Sequence, residues 1–180
     1  MNLEELRMDA AIKQKKGLPF ILASVLIWTA ILCVQLLPIG QLTKNLYTFC
    51  ITAPLVPLAY FISRLIGVDF TNKSNPLTNL GLLFSLNQML YLLIAMWIYS
   101  AMPDKMLMVL AMIFGAHLLP YGWLYKSKSY FGLSIFIPIL MLILGNLYDG
   151  SVIAGVMIFI EIIFSGLLVM ENRMMMKKIG

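Results

Sequence analysis

The chain alternates between long apolar runs and short polar breaks. Six runs of about 20 residues stand out, over 17–38, 45–66, 79–101, 104–125, 130–147 and 151–171. A hydrocarbon core ~30 Å thick needs about 20 helical residues to cross it. Inside lipid every backbone polar group must find its partner within the protein, and unbroken apolar runs meet that condition as helices. Barrel strands would instead alternate apolar and polar over ~10 residues. The pattern predicts an all-α integral membrane protein of six transmembrane helices, one domain over 1–180. A leader (1–16) precedes the helices and a tail (172–180) follows them.

Composition sharpens this expectation. Of 180 residues, 61% are hydrophobic and only 12% charged, against roughly 25% charged in a soluble domain. Too few charges remain to cover a water-facing surface. The first run is longer than the apolar stretch of a secretory signal and lacks a small-x-small cleavage site, so it is expected to stay as a helix. In the leader, Asn2 with Glu5 fits a capping box. Leu3, Leu6, Ala10 and Ile12 can rest on the membrane with Lys13, Lys15 and Lys16 at headgroup level; a frayed leader that only sets topology is the competing reading.

The basic residues set an orientation. With both termini inside, Arg7, Lys13, Lys15, Lys16, Arg64, Lys73, Lys126, Lys128, Arg173, Lys177 and Lys178 fall inside, and Lys44 and Lys105 outside. That bias predicts an N-in/C-in chain in a bacterial cytoplasmic membrane. The net charge of +5 then reflects topology and contact with anionic lipid. No basic water-exposed fold is visible for nucleic acid.

Local signals refine the runs. Pro54 and Pro57 predict a kink in the second helix. Thr48, Thr52, Ala59 and Ser63 form a small and hydroxylated stripe there, read as packing or as the lining of a pathway. Asn75-Pro76 marks a turn with Ser74 or Asn75 as cap. "AMPDK" and "NLYDG" are tight antiparallel turns. Gly81/Ser85, Ala111/Gly115 and Ser151/Gly155 mark close helix packing. Trp97, Tyr99, Trp123, Tyr125, Tyr130 and Tyr148 fit an interfacial belt, and Arg64 is expected to snorkel.

"QLLPIGQLTK" from Gln35 and "HLLPYGWLYK" from His117 share six residues at matching places. Their spacing of 82 residues raises a 3+3 inverted repeat, a plan common among transporters. The alternative is coincidental helix-end chemistry.

Candidate chemistry lies in the polar residues at depth. Glu161 sits near the middle of the sixth run, where a carboxylate costs ~2.5 kcal/mol or more. Counted at ~1.5 Å per residue, Asn87, Gln88, His117 and Glu161 all lie roughly 10–14 Å in from the inner end of their helices. Tyr91 shares a face with Asn87 and Tyr121 with His117. A carboxylate beside a histidine exchanges protons near neutral pH; a hydrogen-bonded clasp is the structural alternative. Glu161 and His117 are therefore the candidate proton-coupling pair, with Asn87, Gln88, Tyr91 and Tyr121 in support.

Cys33 and Cys50 read as buried free thiols. With one histidine there is no metal cluster of known spacing, and Met174, Met175 and Met176 read as packing. No phosphate loop, HExxH or serine elbow is present. Asp69, Asp104 and Asp149 lie in loops, away from any intramembrane catalytic pair. No cofactor, metal or enzymatic activity is expected.

"KQKKGLPF", the Asn-Pro before the third helix and "AHLLPYGWLYKSKSY" together resemble the small six-helix bacterial membrane proteins of unknown function. The resemblance covers the whole chain and implies that fold, with no substrate and no site residue. The expected partners are the bilayer, a small solute or ion, and a membrane protein or second copy. A small permease-like transporter is the leading expectation. The alternative is a non-transporting accessory, immunity or scaffold subunit packed against a larger complex.

Overall fold

A computed structural model describes residues 2–68 and 74–177, apart from the side chains of Leu82 and Met89. Asp69, Lys73 and Lys178, placed above in a loop or inside, lie outside these residues. Among the described residues the chain is helical and has no strand. In order come α1 (Leu3–Lys13), α2 (Leu18–Gln35), α3 (Gln41–Thr52), α4 (Leu55–Leu65), α5 (Leu77–Ala101), α6 (Met106–Ala116), α7 (Leu119–Leu124), α8 (Lys128–Leu147) and α9 (Gly150–Met176). Short 3-10 turns at Lys15–Gly17 and Pro103–Lys105 precede α2 and α6.

Among the described residues five helices are long and apolar enough to cross a membrane, and six if the bent pair α3–α4 is one span. Large apolar side chains such as Leu83, Leu90, Ile139 and Phe159 stand more than half exposed around the outside. A water-soluble monomer rarely shows so broad an apolar surface, so the chain reads as a membrane protein.

The second expected helix is bent by 41° between α3 and α4, where Pro54 removes a backbone donor. Thr48, Thr52 and Ser63 turn their hydroxyls back onto carbonyls of their own helices. The fourth expected helix also breaks, at His117–Leu118, and restarts with Pro120 in the first turn of α7. The two Leu-Leu-Pro motifs therefore differ locally. Pro38 lies in the connection between α2 and α3, whereas Pro120 lies within one span.

The core is built by α2 against α9 and by α6 against α8. Gly115 lets α6 approach α8 closely: a Cβ there would stand 2.7 Å from Ile137 and Pro138. The turn acid Asp149 caps α9 by accepting from the Ser151 and Val152 amides. Lys44 and Lys105 each donate to a last-turn carbonyl, of Gln35 and of Gly145, the end of a helix that favours a cation.

Three expectations are corrected. The capping box of α1 is present, but α1 does not lie free on a surface. Ala10 and Ala11 are buried, and α1 is stitched across the end of the bundle. Arg7 donates to the Trp123 carbonyl and Asn75 donates to the Leu6 carbonyl and to Asp9. Lys16, expected among headgroups, is buried and paired with Glu171 at 2.7 Å, while Lys15 donates to the Ile66 carbonyl. The reason is the left-handed backbone of Lys15, Lys16 and Gly17 (φ 44°, 53° and 70°), which turns both lysines inward. Cys33 and Cys50 are exposed on the outer face and free, not buried. Arg64 folds back onto Tyr60, donating to its hydroxyl at 2.9 Å over the ring.

Candidate functional site

Glu161 faces inward from the middle of α9 and has no exposed surface. It shares a face with Met157, Phe164 and Ser165, set by the helical spacing of four, three and four residues. Because α2 packs more extensively on α9 than any other helix does, a small hydroxyl on α2 can reach the acid. Ser24 Oγ lies 2.6 Å from Glu161 Oε2 and 2.7 Å from the Ile21 carbonyl oxygen. Glu161 Oε1 is buried and without a hydrogen-bond partner.

Ser24 also forms part of the wall of a partly open cavity of about 560 Å³ lined by residues of α2, α3, α4, α5, α6, α7 and α8. Among the described residues its lining holds no Lys, Arg, Asp or Glu. Its floor is closed by Gln14, Gly17, Thr78, Tyr125 and Tyr130. Here Tyr125 donates to Gln14 Oε1 at 2.6 Å and Tyr130 donates to the Lys16 carbonyl at 2.9 Å. Gly17 is required at this point: its φ is +70°, and a Cβ would stand 2.9 Å from the Tyr130 hydroxyl.

One wall is a relay of rings. Trp28 meets Phe114 edge-on at 6.3 Å, Phe114 meets His117 at 5.4 Å, and His117 meets Tyr121 at 5.9 Å. Tyr121 stacks on Tyr125 at 6.0 Å, and Tyr130 reaches Phe164 on α9 at 4.8 Å. Positions 114, 117, 121 and 125 share one helical stripe, and the break at His117 keeps it facing the cavity.

The six sequence-selected residues do not form one cluster. His117 and Tyr121 line the cavity, as does Gln88. His117 directs Nδ1 at the Phe114 carbonyl oxygen and makes no hydrogen bond with Glu161. Tyr121 joins α7 to α5 through the Ser85 hydroxyl at 2.7 Å and the Gly81 carbonyl at 3.2 Å. Asn87 and Tyr91 are exposed on the outer face of α5 and bond to each other at 2.8 Å. Equal depth brought these groups to one level, but the rotation of α5 sends Asn87 and Gln88 to different sides.

Ser24, Gln14, Tyr125 and Tyr130 escaped the sequence reading. A lone serine in an apolar run carries little signal, and the tyrosines beside Lys126 and Lys128 match an interfacial belt. Among the described residues no group of three or more His, Cys, Asp or Glu is placed to hold a metal ion.

The model of a family of unknown function, DUF7010, matches residues 3–171, so the chain belongs to that family. No curated protein and no solved structure matches it.

Proposed function

We propose that this member of the DUF7010 family is a small permease-like membrane protein that carries a solute and handles a proton at Glu161, without bond chemistry. One observation carries the reading. A fully buried acid with a single hydrogen-bonding neighbour has that neighbour in the wall of a large cavity. A structural clasp in a membrane returns only ~0.6 kcal/mol per hydrogen bond, well below the cost of placing an acid at depth. His117 lines the cavity that Ser24 borders, without a bond to Glu161.

The finer topology belongs to this proposal. The bias of the basic residues supports termini on the inner side of a bacterial cytoplasmic membrane. Neighbour relations support a 3+3 inverted plan: α2 packs on α3 and α4 as α6 and α7 pack on α8, and α2 meets α9 as α6 meets α5.

The accessory-subunit reading is favoured by one feature, the outward Asn87–Tyr91 pair. A polar pair on a lipid-facing surface is a ready contact for a partner helix.

The test needs no knowledge of the solute. Infrared spectra of the purified protein are expected to show a protonated carboxyl band that Glu161→Gln removes without changing the helical signal. Transfer to heavy water should shift that band within minutes, the expected result if water enters by the cavity that Ser24 lines. A band that stays unshifted for hours marks a sealed acid and overturns the proton-handling role.

A further inference from the structure

The contacts around Ser24 can be counted proton by proton. A serine hydroxyl has one proton to donate, yet Ser24 Oγ stands within hydrogen-bond distance of two oxygens, the Ile21 carbonyl and Glu161 Oε2. Both contacts are satisfied only when the carboxyl brings its own proton, with Glu161 donating to Ser24 and Ser24 to Ile21. The partnerless Oε1 agrees, because an ionised carboxylate would leave several acceptor sites bare in an apolar interior. The geometry is that of a neutral acid.

An acid held this way can lose its proton only if another positive charge replaces it nearby. The titratable groups around it are few. From α8 comes the Tyr130 hydroxyl, already bonded to the Lys16 carbonyl. Beyond Ser24, the neighbouring cavity is lined by His117 at the α6–α7 break, Tyr121 of α7 and Tyr125 just past it. The buried lysine at this end, Lys16, is committed to Glu171. From α2 the facing group is Ser24. No resident cation among the described residues can take the proton's place, so the replacement must arrive through the cavity.

The lining shows what can arrive. Among the described residues it carries no Lys, Arg, Asp or Glu, and it presents the rings of Trp28, Phe49, Tyr60, Phe114 and Tyr121. Aromatic faces attract a cation whose charge is spread over an apolar body, and they offer nothing to an anion. A small hydrated metal ion would find too few oxygen donors to replace its water. A volume of about 560 Å³ lies within the usual range for a ligand with several rings.

We propose that this cavity takes a monovalent, ring-bearing organic cation and that one proton leaves Glu161 for each cation bound. The inference rests on the proton-handling role given to Glu161 above and adds the substrate class. The step balances: the carboxyl O–H bond breaks, the proton passes to cavity water by way of Ser24, and the carboxylate charge is offset by the cation. No oxidant or reductant takes part.

The experiment uses the full chain in detergent, in weakly buffered solution near neutral pH. Tetraphenylphosphonium serves as the cationic probe and triphenylphosphine oxide as the uncharged one. Binding is read by equilibrium dialysis and proton release by a pH dye. The cation is expected to bind with about one proton released per site and to gain about tenfold in affinity per pH unit while Glu161 stays protonated. The uncharged probe should bind at least tenfold more weakly. Glu161→Gln should lose the proton release and the pH dependence. Phe114→Ala should weaken the cation at least severalfold and keep the one-proton ratio, which guards against a variant that has merely unfolded. Equal binding of both probes, or binding of neither, overturns the cation class while leaving the infrared result untouched. Cation binding without proton release, in a protein whose infrared band does exchange, overturns the exchange alone. A band sealed against heavy water removes the proton-handling role itself.

Discussion

The helices α5 and α9 are nearly equal in length and are used in opposite ways. Over their most apolar windows 12% of α5 is buried, against 44% of α9. The helix with less cover carries more polar side chains: Asn79, Ser85, Asn87, Gln88 and Tyr91 sit on α5. On α5 these groups find cheap local partners, as Asn87 does in Tyr91 and Ser85 in Tyr121. On α9 one of the two acids, Glu161, is fully buried where α9 packs on α2. The difference separates a scaffold from a wall. α9, with α2, α6 and α8, holds the packed core around Glu161; α5 borders the cavity and is held to the rest by few contacts. Opening costs least where buried contacts are fewest, and rocking one wall around a fixed site is how many transporters work.

The comparison is most sharply tested by truncating one large side chain on each helix. Phe164 of α9 is fully buried against Tyr130; Leu90 of α5 is 63% exposed. Phe164→Ala should cost about 3 kcal/mol or more through the cavity it leaves. Leu90→Ala should stay within about 0.5 kcal/mol. Denaturation of the two variants in detergent reads both values. Equal losses would mean that α5 packs as tightly as α9 and is no wall.

A smaller contrast comes from glycine. A methyl group at Gly115 meets Ile137 and Pro138 at 2.7 Å, both on the scaffold side, whereas at Gly81 of α5 the nearest atom is Leu124 Cδ2 at 3.4 Å. Gly115→Ala should therefore destabilise by about 1–3 kcal/mol through overpacking. Gly81→Ala should be neutral or gain up to about 1 kcal/mol of helix propensity. If both lose stability alike, the α5 seam is closer than its few contacts indicate.

The scaffold was more legible in the sequence than the wall, for physical reasons. Apolar runs give away membrane helices because hydrocarbon leaves the backbone no other choice. The prolines at 54 and 57, the Asn2–Glu5 box and the Asp149 cap act through their own neighbours, so sequence alone reveals them. Glu161 was legible through cost: a mid-run carboxylate has to be enclosed. What stayed hidden depends on helix rotation and on long-range contact. Depth along the chain put Asn87 level with His117, but only the facing of α5 decides that Asn87 points out and Gln88 in. Ser24 became informative once α2 was known to lie on α9. The inward turn of Lys16 follows from three successive left-handed residues, a conformation that only Gly17 among them favours.

The smallest expected effect lies where α1 touches both helices. Toward α9 it is held by the enclosed Lys16–Glu171 pair and by Asn172 donating to the Lys15 carbonyl. Toward α5 it is held through Asp9 and Asn75, with Glu4 reaching Lys126 just past α7. Lys13 holds the Asp9 carboxyl below its usual range, against partial burial and with help from Asn75, and Lys126 does the same for Glu4. Because both values are depressed in the folded chain, their contribution is complete above the unfolded values of about 4. It is lost as pH falls through the lower folded values. Acid should thus loosen the α5 side of α1 first, below about pH 4, and leave the bundle folded, since pairs as open as Asp9–Lys13 are worth about 1 kcal/mol or less. Arg7 lies 4.5 Å over the Trp123 ring, so Trp123 emission, with Trp28 and Trp97 replaced by Phe, follows that release. Asp9→Asn should remove part of the acid transition and leave the rest to Glu4. A transition unchanged in the double variant Asp9→Asn, Glu4→Gln would place the acid-sensitive contact elsewhere and make α1 as firmly held at α5 as at α9.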